Sequence, residues 1–76
     1  MPGSPTLPEI AAREVRAEMG RQKVSGAALA QILGVSDMYV SRRLNGEVPF
    51  DLAELERVAD ALAVPVTRFL PDEVAA

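Results

Sequence analysis

Residues 25–46 read SGAALAQILGVSDMYVSRRLNG, and their pattern predicts two short helices joined by a tight corner. Ser25 and Ser36 are favourable N-caps, because a serine hydroxyl accepts a hydrogen bond from an unpaired N–H of the first helical turn. Gly34 and Gly46 end the two helices, since glycine adopts the left-handed backbone of a helix C-terminus without steric cost. The first helix therefore precedes the second with only a short corner between them.

The second helix, residues 36–45, has an apolar side and a polar side. At about 100° per residue, Val40 and Leu44 lie together, with Tyr39 and Arg43 beyond them. The opposite arc carries hydrogen-bonding groups, one cation and one thioether, from Asp37, Met38, Ser41, Arg42 and Asn45. A short helix with this outward face, carried on a buried helix, fits the major groove of DNA.

Four short groups of residues keep the spacing of a known motif: Leu29-Ala30, Leu33-Gly34-Val35-Ser36, Val40-Ser41 and Leu44-Asn45-Gly46. Together they resemble the helix-turn-helix of the Xre/Cro/phage-repressor family, the lambda repressor-like domains. The sequence departs from that family at Arg43, where members usually have an aliphatic residue that packs under the recognition helix. Leu44, next to it, is the alternative for this packing role.

The resemblance and the helical pattern predict an all-α fold, a compact bundle of about five short helices containing the helix-turn-helix. Residues 1–6, MPGSPT, are expected to form a flexible arm, residues 7–71 the DNA-binding domain with its motif at 25–46, and residues 72–76 a frayed C-terminus. The first helix is expected to span Leu7 to about Gln22, with Gly20 as a point where it can end early.

A further amphipathic helix is expected to start at Asp51, which forms a capping-box-like pair with Glu54. Glu54 is expected mostly outside, on an acidic face that points away from DNA. The apolar stripe of this helix comprises Leu52, Leu55, Val58, Ala59 and Leu62. A short last helix before Pro71 is expected to close the core.

Composition excludes several kinds of site. The 76 residues include no cysteine and no histidine, which excludes disulfides, Cys/His zinc sites, cysteine nucleophiles and histidine-based triads. Glu14 and Glu18 stand one turn apart, a spacing typical of a solvated helix face. We therefore expect no enzyme activity, no cofactor and no metal. No run of about 18 apolar residues and no signal peptide is present, so a cytoplasmic protein is expected, nucleoid-associated when bound to DNA.

The charge is unevenly distributed along the chain, whose formal net charge is −3. Residues 1–46 hold six basic and four acidic side chains, whereas residues 47–76 hold two basic and seven acidic ones. Such a dipolar domain can turn its basic side to phosphates, with weak and salt-sensitive non-specific binding.

The resemblance implies which residues read bases, because family members place the start of the recognition helix against base edges. Arg42 is the candidate for guanine, since a guanidinium can bond O6 and N7 together, and a phosphate-bound or solvated Arg42 is the alternative. Asp37 either accepts a bond from cytosine N4 or serves the positive end of its own helix. The base-reading candidates are Asp37, Met38, Ser41 and Arg42.

The resemblance also implies contacts to the DNA backbone, near the start of the first motif helix. The alternatives are N-capping for Ser25 and Ser36 and a solvated basic turn for residues 21–23. Tyr39 can instead pack its ring against the first helix, and Arg43 can pair with an acidic residue of that helix. The phosphate candidates are Arg21, Gln22, Lys23, Ser25, Ser36, Tyr39, Arg43 and Asn45.

These expectations favour a sequence-specific DNA-binding transcriptional regulator, a small repressor or Cro-like protein that binds operator DNA through residues 36–45. A homodimer is expected on DNA, with its surface near Phe69 and Leu70, and neither a membrane nor a small-molecule ligand is expected. The alternatives are the antitoxin of a toxin–antitoxin pair, or a protein-interaction module that has kept the fold without binding DNA. In the last case the acidic second half would be the working surface.

Overall fold

The computed structural model describes residues 5–72, and these form helices with no strand among them. The helices are α1 (Leu7–Gln22), α2 (Gly26–Leu33), α3 (Asp37–Leu44), α4 (Leu52–Leu62) and the 3-10 helix η1 (Val66–Phe69). The prediction of an all-α bundle is confirmed, and the 3-10 helix η1 follows α4 within the described residues. The predicted flexible arm and frayed C-terminus fall largely on residues 1–4 and 73–76, which lie outside the described residues.

Side-chain caps explain where helices α1 to α4 begin. Ser25 and Ser36 each accept a hydrogen bond of 3.0 Å from the N–H three residues further along. Asp51 forms a complete capping box with Glu54, and Thr6 forms another with Glu9 at the start of α1. Each such cap stabilises its helix by about 0.5–2 kcal/mol.

Left-handed residues mark where the helices end. Gly34 ends α2 with a φ of 72°, and Gly46, with a φ of 86°, follows the Asn45 cap of α3. Lys23 and Ala63 take the same conformation after α1 and α4 although neither is glycine. Because α1 runs on to Gln22, Gly20 does not end it.

Every helix contributes to one core. Phe69 is fully buried among residues of the other helices, so η1 closes the bundle as predicted. The expectation that Phe69 helps to form a dimer surface is therefore wrong, because its side chain is inside the protein. The buried apolar residues are Ala11, Ala12, Val15, Met19, Leu29, Ala30, Val40, Leu55, Val58, Ala59, Leu62 and Phe69.

The burial of three side chains differs from the prediction. Leu52, expected in the core stripe, is 72% exposed at the start of α4. Glu54 and Glu18, expected in solvent, are only 8% and 5% exposed. Both carboxylates accept several hydrogen bonds, which offset the cost of removing them from water. Within residues 5–72 no helix is both long and apolar enough to cross a membrane.

Candidate nucleic-acid interface

Helix α3 presents a polar face to solvent. Val40 is buried beneath the helix and Leu44 is half-buried, whereas the guanidinium-bearing side chain of Arg42 is 54% exposed. The exposed residues of the face are Asp37, Met38, Ser41, Arg42 and Asn45. All four base-reading candidates are thus accessible on one side of one short helix.

The side chains of Tyr39 and Arg43 are held by α4. Arg43 lies over the Tyr39 ring, 3.7 Å from its centroid, and its Nη2 is 3.1 Å from Oε2 of Glu54. The Tyr39 hydroxyl donates a hydrogen bond to the same oxygen. The alternative in which Arg43 pairs with an acidic residue of the first helix is wrong, because its acidic partner, Glu54, belongs to α4.

This cluster alters the acidity of its members. Burial raises the pKa of Glu54, but hydrogen bonds from the Tyr39 hydroxyl, the Asp51 backbone and Arg43 outweigh that effect and hold the pKa below its usual value. The hydrogen bond to Glu54, together with burial, raises the pKa of the Tyr39 phenol. Glu54 is therefore an anion and Tyr39 a neutral donor at neutral pH.

These contacts bear on two phosphate candidates. A phosphate only accepts hydrogen bonds, and Tyr39 already donates its single hydroxyl hydrogen to Glu54. Arg43 uses Nε and Nη2 for Glu54, and its side chain is only 17% exposed. The geometry therefore disfavours Tyr39 as a phosphate contact and leaves Arg43 only a partial one.

The corner between α1 and α2 holds three further phosphate candidates. Gln22 donates its side-chain amide to Glu18 at 2.9 Å and to the Leu62 carbonyl at 2.7 Å. Both of its N–H groups are used, so the assignment of Gln22 as a phosphate contact is not supported. Arg21 bonds to Glu18 yet keeps a side chain that is 55% exposed, and Lys23 is exposed. These two cations remain available to an anion.

Glu18 organises that corner. It accepts hydrogen bonds from Gln22 and Arg21, which lower its pKa in that order of importance, and Arg68 lies 3.1 Å away. The carboxylate thus ties the end of α1 to η1. The burial of Glu18 could not be predicted from its spacing to Glu14, because exposed acidic pairs have the same spacing.

The remaining phosphate candidates keep free donors. The Ser25 and Ser36 hydroxyls accept from backbone N–H groups and retain their own hydrogen for an anion. Asn45 Oδ1 accepts a hydrogen bond of 3.0 Å from the Glu47 N–H. The side-chain N–H groups of Asn45 can therefore donate to a phosphate. Capping and phosphate binding are therefore compatible at these residues.

A groove of about 560 Å³ runs along the flank of α3 opposite Glu54. Arg16 of α1 reaches it and donates a hydrogen bond to the Leu44 carbonyl, at the C-terminal end of α3. This contact could not be predicted from sequence patterns, because Arg16 and Leu44 belong to separate helices. The lining residues are Arg16, Gly26, Ala27, Asp37, Val40, Ser41, Leu44 and Asn45.

The comparisons with known proteins agree with this geometry. The model of the BetR domain family, a family of helix-turn-helix DNA-binding domains, matches residues 7–76. This confirms the predicted helix-turn-helix and indicates a DNA-binding regulatory role, without a specific Xre, Cro or lambda repressor assignment. No curated protein matches this chain.

A similar solved structure is the crystal structure of FeII HppE, with a TM-score of 0.78 and 28% sequence identity. The similarity covers 87% of this chain and 35% of the HppE chain. The iron belongs to HppE, and residues 5–72 of this chain contain no group of three or more His, Cys, Asp or Glu side chains that could hold a metal ion.

Proposed function

Since the chain belongs to the BetR domain family, we propose that it is a sequence-specific DNA-binding transcriptional regulator, a small repressor or Cro-like protein. The observation that carries the proposal is the exposed polar face of α3, held above the buried Val40 side chain. The protein acts by occupying operator DNA and not by catalysis.

In this proposal α3 enters the major groove and its first two turns read the bases. Arg42 donates to O6 and N7 of a guanine, a contact that discriminates by about 1–3 kcal/mol. Asp37 accepts from a cytosine amino group, and Met38 lies against a thymine methyl. Ser41, one turn after Asp37, offers a hydroxyl to the neighbouring base.

The DNA backbone is held beside this helix. The Ser25 and Ser36 hydroxyls lie at the N-termini of α2 and α3. The first N–H groups of a helix have no partner within it, an arrangement that favours phosphates. Lys23 and Arg21 add positive charge at the start of α2, and Asn45 donates from the far end of α3. These contacts fix the register but do not read sequence.

A single domain of this size reads few base pairs, so we propose that two copies bind as a homodimer. Their half-sites would lie about one helical turn apart on two-fold symmetric DNA. The acidic second half of the chain supports a rival function, in which the fold serves as a protein-interaction module.

An unbiased selection of bound duplexes from a random pool tests the proposal. We expect enrichment of a two-fold symmetric sequence, together with an affinity that falls steeply as salt is added. Enrichment of no sequence, with no salt-sensitive binding to any duplex, would refute the proposed function and favour the interaction module.

A further inference from the structure

Helix α3 is short and has little apolar anchorage. Within Asp37–Leu44, Val40 is the buried residue, and Tyr39 and Leu44 are partly buried against the core on either side of it. A single buried side chain fixes the distance of a helix from the core better than its rotation about its own axis. The polar contacts of its two flanks therefore act together with Tyr39 and Leu44 to set which residues of α3 face outward.

Two polar contacts hold α3 from opposite flanks. At about 100° per residue, Tyr39 and Arg43 lie on one side of Val40, and Leu44 lies on the other. Glu54 of α4 binds the first flank through Tyr39 and Arg43. Arg16 of α1 binds the Leu44 carbonyl on the second flank.

The two oxygens of Glu54 have separate tasks. Oε1 accepts a hydrogen bond of 3.0 Å from the Asp51 N–H and so completes the capping box of α4. Oε2 accepts from Tyr39 and Arg43 of α3. One buried carboxylate thus connects the start of α4 to one flank of α3. Glu54 itself is too buried to contact DNA.

We propose that Glu54 is a positioning residue that sets the rotation of α3, and through it the bases that the exposed face of α3 reads. This inference rests on the proposed function. A rotation of about 10° moves a side-chain end that lies about 6 Å from the helix axis by about 1 Å. Hydrogen-bond lengths span only about 0.5 Å, so such a rotation breaks a two-bond contact to a base.

The test compares base preference in three variants of the whole chain. Tyr39→Phe removes the hydrogen bond from the Tyr39 hydroxyl to Oε2 of Glu54. Glu54→Gln replaces the carboxylate with an amide of the same shape. Asp51→Ala is the matched control, because it removes the other half of the capping box and destabilises α4 without touching α3. Binding to the selected site and to each single-base variant of it is measured below the unfolding transition.

A good contact to a base discriminates against the wrong base pair by roughly tenfold to hundredfold in affinity. We expect Tyr39→Phe and Glu54→Gln to lower this discrimination by about threefold to tenfold at the base pairs read by α3. Asp51→Ala is expected to keep the wild-type preference. Should Glu54→Gln fail to fold, Tyr39→Phe decides the matter, since it loses only one hydroxyl.

Unchanged preference in Tyr39→Phe, or an equal change in Asp51→Ala, would overturn the positioning role while leaving the proposed function intact. A wild-type protein that selected no sequence would instead refute the proposed function, and the positioning role with it.

Discussion

Arg42 and Glu47 lie 3.9 Å apart, measured from the guanidinium Nε to a carboxylate oxygen, and both side chains are more than half exposed. The acid is therefore placed beside the side chain that we assign to guanine. An exposed pair of this kind contributes only about 0.2–1 kcal/mol. DNA must nevertheless displace it, and the carboxylate also repels nearby phosphates.

Glu47→Gln is accordingly expected to strengthen DNA binding by about twofold to fivefold at low salt, with a smaller gain as salt is raised. A binding titration on the selected duplex at two salt concentrations measures this effect. Glu56→Gln on the exposed face of α4 is the control, because it makes the same change in net charge. Equal gains in the two variants would show that the effect is one of total charge and not of the Arg42 pair.

Replacing Arg42 separates base reading from phosphate binding. Arg42→Ala is expected to relax preference at one base pair by about 1–3 kcal/mol. Lys23→Ala is expected to weaken binding to all sequences and to lower the slope of log affinity against log salt by about one. Titrations with the selected site and its single-base variants distinguish the two. If Arg42→Ala changed neither affinity nor preference, Arg42 would not be the reading residue.

Much of the fold was predictable because the interactions that start its helices are local in sequence. Ser25, Ser36 and Asp51 act on N–H groups three residues away, so a short stretch of sequence contains all of the interaction. The exposed arc of α3 follows in the same way from a helical repeat and the burial of Val40. The accessible part of the candidate site could therefore be predicted from the sequence.

The buried carboxylates could not be predicted from such patterns. Glu54 meets Tyr39 from 15 residues away, and Glu18 meets Arg68 from 50 residues away. Helical periodicity assigns each acid to the outer face, because it takes no account of partners on other helices. The contact of Arg16 with α3 was missed for the same reason.

The cap of the recognition helix allows a stability test within one helix. Ser36→Ala removes the hydrogen bond to the Tyr39 N–H and is expected to lower the free energy of unfolding by about 1 kcal/mol. Ser41→Ala, on the exposed arc of the same helix, is expected to change it by less than about 0.5 kcal/mol. Urea unfolding measures both variants. Equal losses would mean that the Ser36 hydroxyl does not cap α3.

Glu18 makes stability depend on pH in a predictable direction. Hydrogen bonds from Gln22 and then Arg21 hold the pKa of Glu18 below its ordinary value in the folded protein, so the unfolded chain takes up the proton more readily. The stabilisation is therefore present above about pH 5 and is lost as pH falls through the folded-state pKa. The free energy of unfolding should decrease over that range.

Glu18→Gln isolates this contribution. The variant is expected to be less stable than the wild type at pH 7, because the amide is a weaker acceptor for Arg21 and Arg68. The difference should shrink as pH falls from about 5 to about 3, since protonation removes the same charge from the wild type. Urea unfolding at several pH values measures it, with Glu14→Gln on the same helix as the control. A difference between wild type and Glu18→Gln that stayed constant across this range would show that the charge of Glu18 does not stabilise the fold.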